Sequence, residues 1–287
     1  MLYNVAMNHL VSIIKSDGTR QLFEEEKLAG SLKHVGASPE AIDDVVDQIE
    51  REMHDGMTTA DIYRRAFLLL HKHSAPAAAK YSVRRGMMEL GPDGFPFEKF
   101  VARIFKMWGY DAVTDQTVFG TCVDHEVDVV AWKGDSLAMV EAKYHNESGM
   151  KSDLKVALYV KARFDDLSQN EFDYGGVKRK LSERWIFTNT KFTDKAIKYG
   201  ECSKMKLVGW NYPMKNSLHD IIGQNGLHPI SSLTSLTHDQ KKELIAKDVL
   251  VCIDLVGHPQ SLEEIGIKGE LAEKTLTEAQ MVIEQGK

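Results

Sequence analysis

The chain has 287 residues, of which 27% are charged and 43% hydrophobic, and a formal net charge of −6. That length accommodates two or three domains with separate cores, and the acidic balance argues against a general polyanion binder. No run approaches the roughly 18 apolar residues of a membrane span and no signal-peptide pattern opens the chain. Three well-separated cysteines, Cys122, Cys202 and Cys252, form neither a zinc ribbon nor a disulfide framework, so a reducing, cytoplasmic setting without membrane partners is expected.

In chain order, Val11–Lys15 reads as a short strand and Ser16-Asp17-Gly18-Thr19 as a turn. Phe23–Lys33 reads as a helix. Ile42, Val45, Val46, Ile49 and Met53 recur at helical spacing. Thr59 is the expected N-cap of a third helix, Ala60–Lys72, and a fourth runs from about Ala77 to Glu89. Gly91-Pro92-Asp93-Gly94-Phe95-Pro96 is the clearest linker. A helix over Phe97–Trp108 follows, then a hairpin, a long helix from about Met150 to Leu167, and strands at Trp185–Thr188 and Lys206–Trp210 around a helix at Thr193–Cys202. Alternating helices and strands indicate an α/β layer structure. From Tyr212 onward only short helices are expected. The resulting division is 1–90, 91–212 and 213–287.

The hairpin carries the chemistry. Val127–Lys133 and Ser136–Tyr144 flank Gly134-Asp135, a dipeptide suited to a tight turn. With those two residues as the turn, Lys133 faces Ser136, Asp128 faces Glu141 and Glu126 faces Lys143. Side chains alternate along a strand, so these three acids and one lysine gather on one face. Val127, Val129, Ala131, Ala138, Val140 and Ala142 line the other. Directly opposed Cβ atoms lie roughly 4.5–5.5 Å apart, close enough for Asp128 and Glu141 to share one divalent cation. Just downstream the charge changes sign. Residues 143–215 carry 15 basic and 9 acidic groups, the one basic segment of the chain and a fitting neighbour for a phosphodiester. Lys155 and Lys161 are candidate phosphate contacts. His125, beside Glu126, points to the opposite face.

Residues 11–28 (V-S-I-I-K-S-D-G-T-R-Q-L-F-E-E-E-K-L) resemble the opening of the ATP-cone, through Lys15, Asp17-Gly18, Phe23 and Glu26-Lys27-Leu28. Gly56–Ile62 is similar to that family's Thr-bearing helix start and Ala79–Arg85 to its closing helix. The resemblance implies ATP or dATP bound as an allosteric signal and not hydrolysed. Lys15 and Lys27 would contact phosphates, Thr59 would help at a helix N-terminus, and Arg84 would supply the closing helix's basic contact. Ser16 stands where the family often has Arg.

Residues 95–212 resemble the Mrr-type branch of the PD-(D/E)xK nucleases, through Glu98 on the first helix, Glu126-Val-Asp128 and Glu141-Ala-Lys143 on adjacent strands, and Trp185–Ala196 beyond. The resemblance implies DNA cleavage with Mg²⁺ or Mn²⁺. Asp128 and Glu141 would be the metal ligands, Glu98 a further ligand from the helix, and Lys143 the group that orients or deprotonates the attacking water. Leu244–Leu255 and Ser261–Ala272, around Ile265-Gly266-Ile267, look like a helix-hairpin-helix arrangement. The expected fold is thus a multi-domain α/β chain: a helical ATP-cone with short strands, a restriction endonuclease-like mixed-sheet domain, and a small all-α domain. The expected function is a nucleotide-sensing DNA endonuclease acting as a homodimer or higher homo-oligomer. The alternative is a catalytically inactive, nucleotide-regulated DNA-binding protein, and RNA remains open as a substrate.

Overall fold

The computed structural model describes residues 11–15, 19–91, 94–146 and 149–285. The turn expected at Asp17-Gly18 and the Pro92-Asp93 step of the linker lie outside the described residues. Two compact units emerge, divided between Ser82 and Val83 within a helix.

The first unit opens with β1 (Ser12–Ile14) and β2 (Arg20–Leu22), paired antiparallel. Three helices follow: α1 (Glu25–His34), α2 (Pro39–Glu52) and α3 (Thr59–His73). Local chemistry sets their starts. Ser38 accepts from the Ala41 N–H with Pro39 at the first helical position, and Thr58 accepts from the Asp61 N–H, each cap contributing about 1 kcal/mol. The cap of α3 is therefore Thr58; Thr59, expected there, is the first helical residue. The apolar stripe of α2 (Ala41, Val45, Val46, Ile49) packs with Leu32, Ile62, Ala66 and Leu70. The division falls inside α4 (Ala75–Met88).

The second unit is built on a five-stranded mixed sheet. Its elements are α5 (Phe95–Met107), β3 (Asp111–Phe119), β4 (Asp124–Lys133), β5 (Ser136–Lys143), β6 (Lys151–Ser152) and α6 (Leu154–Leu167). The hairpin β7 (Glu171–Tyr174) and β8 (Val177–Lys180) follows, then β9 (Glu183–Thr188), β10 (Lys191–Phe192), α7 (Asp194–Cys202) and β11 (Lys206–Val208). The strand order is β11-β9-β5-β4-β3. β3, β4 and β5 form an antiparallel meander, and β5, β9 and β11 run parallel.

Helix α5 covers one face, burying Phe97, Phe100, Ile104 and Phe105 against Val129, Ala131, Ala138, Val140 and Phe187. Helices α6 and α7 cover the other, with Val160, Phe164 and Ala196 against Val130, Leu137, Met139 and Ile186. Burial of such side chains contributes roughly 1.5–3 kcal/mol each.

The chain ends in α8 (Leu218–Asn225), α9 (His238–Ala246), α10 (Cys252–Gly257), α11 (Gln260–Glu264) and α12 (Glu270–Gln285). Gly266 follows α11 with φ +79°, turning the chain at Ile265-Gly266-Ile267. These helices have their own core around Leu233, Leu244, Leu255 and Ile283. Leu218, Ile221, Ile222, Leu250 and Val251 instead join the core beneath α5, so the segment after Tyr212 shares a compact unit with the sheet. Among the described residues no helix is long and apolar enough to cross a membrane.

Candidate active site

The hairpin forms in the register its sequence implies, from Lys133 opposite Ser136 to Val129 opposite Val140. There the ladder stops. β4 continues against β3 as far as Asp124 opposite Phe119, while β5 continues against β9 as far as Lys143 opposite Thr188. The two strands fork at Asp128. In place of a backbone partner, the Ala142 N–H donates to Asp128 Oδ2 at 2.6 Å. Asp128 and Glu141 are thus brought together by a carboxylate bridging the fork. The fork also changes what lies beyond it. Glu126 is exposed and pairs with Thr117, not with Lys143. Val127 leaves the α5 core of Val129 and joins the α6 core.

β3 bends at the same level. Asp115 has φ +54°, a left-handed conformation uncommon for a residue other than glycine and enriched at functional sites. The residues on either side of it, Thr114 and Gln116, pair with Val129 and Val127, the residues that flank Asp128. Asp115 is an acid that the sequence reading did not single out.

Four carboxylates feel one another here. Burial first, then the negative charge of Glu141, pushes Asp128 up to about 7, against the opposing Ala142 N–H and Arg163. Burial first, then Asp115 and Glu141, raises Glu98, which reaches in from the first turn of α5. Carboxylate oxygens of like charge within electrostatic reach of one another form a set suited to a hard divalent cation, whose charge offsets their repulsion. The donor chemistry of Asp128, Glu141 and Glu98 therefore fits Mg²⁺ or Mn²⁺. Among the described residues, no three carboxylate, imidazole or thiolate groups converge into a finished cage. Glu141 is turned elsewhere: Tyr159 donates to its Oε1, and Arg163 Nη1 lies 2.6 Å from its Oε2.

Lys143 closes β5 beside these acids and makes no ion pair among the described residues. Its charge, after burial, lowers the proton affinity of His145. The segment behind it is held by Asn189, whose Oδ1 accepts from the His145 N–H and whose Nδ2 donates to the His145 carbonyl, both at 2.8 Å. Tyr159, Arg163 and Asn189 were not legible from a single sequence. Of the lysines on α6, Lys161 pairs with Asp165 at 2.5 Å, and Lys155 is exposed. His125 lies 2.8 Å from Asp166, away from the fork.

In the first unit, Ile14 bridges Thr58 in parallel. The exposed Lys15 therefore follows β1 beside Thr59 at the N-terminus of α3. Lys27 is tied to Glu24 at 2.7 Å. Arg84 belongs to the second unit, where its guanidinium lies over the Trp210 ring at 5.7 Å.

Comparison with known proteins follows this division. Residues 11–87 match the ATP cone domain, residues 91–211 the restriction endonuclease family Mrr_cat, and residues 228–283 the AF1548-like C-terminal domain. An uncharacterized protein of Archaeoglobus fulgidus is 35% identical over 184 residues, which are 64% of this chain and 99% of the relative. The chain belongs to the AF1548-like family. A solved member, titled as the crystal structure of the protein of unknown function AF1548, superposes with a TM-score of 0.55 at 34% identity. It covers 67% of this chain and 99% of its own. The A. fulgidus relative is shorter than the 11–283 span over which the three domains match here, so it lacks room for all of them. Among AF1548-like proteins, this one combines an ATP cone with a restriction endonuclease-like domain.

Proposed function

We propose that the second unit is a Mg²⁺-dependent DNA endonuclease, also served by Mn²⁺, and that ATP or dATP bound by the cone acts as an allosteric or assembly signal. One observation carries the reading: the fork in the sheet brings Asp128, Glu141 and Glu98 within electrostatic reach of one another, and Lys143, two residues after Glu141, makes no ion pair among the described residues. Asp128 and Glu141, helped by Glu98, would hold the ion, which supplies Lewis-acid polarisation of the phosphodiester. The Lys143 side chain would orient or deprotonate the attacking water, and as an ammonium it would offset charge developing on phosphorus. The basic excess of residues 143–215 attracts the substrate backbone.

In the cone, Lys15 and Thr59 flank a helix N-terminus that favours phosphate, with Lys27 alongside in the proposed contact set. Arg84, occupied by Trp210, is left out of it. The functional division is 1–90 for nucleotide sensing, 91–212 for chemistry and 213–287 for the helical end. Two strands need two active sites, so the working form is proposed as a homodimer or higher homo-oligomer, acting in the cytoplasm.

The test is plasmid cleavage with Mg²⁺, with and without ATP or dATP, by wild type, Glu141→Ala and Lys143→Ala. Both variants are expected to lose at least a hundredfold in rate (about 2.7 kcal/mol of barrier). Cutting that survives both changes would remove the assigned site. DNA binding without cleavage by wild type would instead establish the regulatory alternative.

A further inference from the structure

The acids at the fork crowd Asp128 and Glu98 with negative charge, yet one positive group already sits among them. Arg163 lies one helical turn after Tyr159 on α6, and (i, i+4) spacing puts both side chains on one face. Its guanidinium stacks over the Tyr159 ring at 5.3 Å and pairs with Glu141 at 2.6 Å. Glu141 is 9% exposed at its side chain and Arg163 21%. Both oxygens of the buried Glu141 carboxylate are therefore engaged by α6, one by a hydroxyl and one by a cation. This explains why donors of suitable chemistry do not converge as a metal cage.

A buried carboxylate must be neutralised, and breaking such a pair without replacing the cation is costly. A divalent ion is that replacement. Once Glu141 is ligated, Arg163 is left half-buried with no anion of its own, beside the place where a phosphodiester would bind. A planar guanidinium is suited to phosphate recognition there.

Resting on the nuclease reading, we propose that Arg163 is an internal counter-cation. It holds Glu141 until a divalent metal displaces it, and then turns to the phosphate of the bound nucleic acid. Tyr159 is its positioning partner, supplying the stacking surface and the second bond to Glu141. The site thus exchanges one cation for another and is never left as bare carboxylates.

The test uses the full-length chain: Mn²⁺ titration by calorimetry, and binding of a DNA duplex with Ca²⁺ in place of the catalytic metal. Wild type, Arg163→Gln, Arg163→Lys, Tyr159→Phe and Asp128→Asn are compared. Removing a charge-assisted bond that competes with metal should tighten Mn²⁺ binding by Arg163→Gln about tenfold or more. The same variant should bind duplex less tightly and melt at a lower temperature without metal. Arg163→Lys, which keeps the charge, should stay near wild type in Mn²⁺ affinity. Tyr159→Phe, folded like wild type, should tighten Mn²⁺ binding by a smaller factor, and it carries the test if Arg163→Gln does not fold. Wild-type Mn²⁺ binding that needs Asp128 but is no tighter in either Arg163→Gln or Tyr159→Phe overturns the counter-cation and leaves the nuclease reading intact. Failure of every protein to bind Mn²⁺ overturns both.

Discussion

Replacing Asp128 with asparagine should make the metal-free protein more stable, and only above neutral pH to the full extent. Burial and the charge of Glu141 raise this carboxyl from 3.8 to about 7. A carboxyl that holds its proton more firmly in the folded chain makes folding less favourable as pH rises, over the window from about 4 to about 7. At 1.36 kcal/mol per unit the ceiling is about 4 kcal/mol. Partial solvent access reduces this to an expected 2 kcal/mol or so, roughly 4–8 °C in melting temperature for a unit of this size. Asparagine keeps an oxygen to accept from the Ala142 N–H, so the fork itself survives. Thermal melts in EDTA from pH 4.5 to 8.5 measure the effect. The two proteins should nearly coincide at pH 4.5, diverge up to about pH 7 and keep a constant offset above it. Added Mn²⁺ should then raise the wild-type midpoint and leave that of Asp128→Asn almost unmoved. A variant less stable than wild type at pH 8, or an offset that ignores pH, would refute the electrostatic account of the fork.

Further outcomes follow from the same geometry. Thr58→Ala should destabilise the first unit by about 1 kcal/mol through the lost cap, whereas Thr59→Ala should cost less stability and weaken ATP binding; fluorescence-monitored melts and nucleotide titration separate the two. Lys15→Ala is expected to weaken ATP or dATP binding about tenfold or more, measured by calorimetry, and unchanged affinity would count against the phosphate contact. Gly120→Ala should lower stability by roughly 1–3 kcal/mol, read from urea midpoints. An added Cβ there would lie 2.1 Å from Asp166 Oδ2 and 2.7 Å from the Val123 carbonyl.

Much of the site was legible because it is local. The Gly134-Asp135 turn and period-two alternation fix which residues of β4 and β5 oppose one another near the turn, and the structure keeps that register to Val129 and Val140. What lies beyond is decided by partners the sequence does not name. β9 takes the free edge of β5 and β3 takes that of β4, so the strands part and Glu126 no longer faces Lys143. β3 itself was missed because Asp-Ala-Val-Thr-Asp-Gln-Thr-Val-Phe is polar and half-exposed, with a left-handed residue at its middle. The β7–β8 hairpin turns on Gly175 and Gly176, both at positive φ, between strands of four residues each, too short for periodicity to register. Tyr159 and Arg163 look on sequence like any exposed pair on a charged helix. Only the packing of α6 over the sheet gives them Glu141.

The amide of Asn189 behaves as one more rung of the β-ladder, offering His145 the donor and acceptor that another strand would have offered. Lys143 is consequently flanked by anchored backbone in both directions, with the Thr188 pairing beside it and the side-chain rung two residues on. The His145 amide should therefore exchange its hydrogen as slowly as those inside the sheet. A lysine on a stretch so firmly tethered gives up the wandering of a loop side chain and keeps a fixed aim.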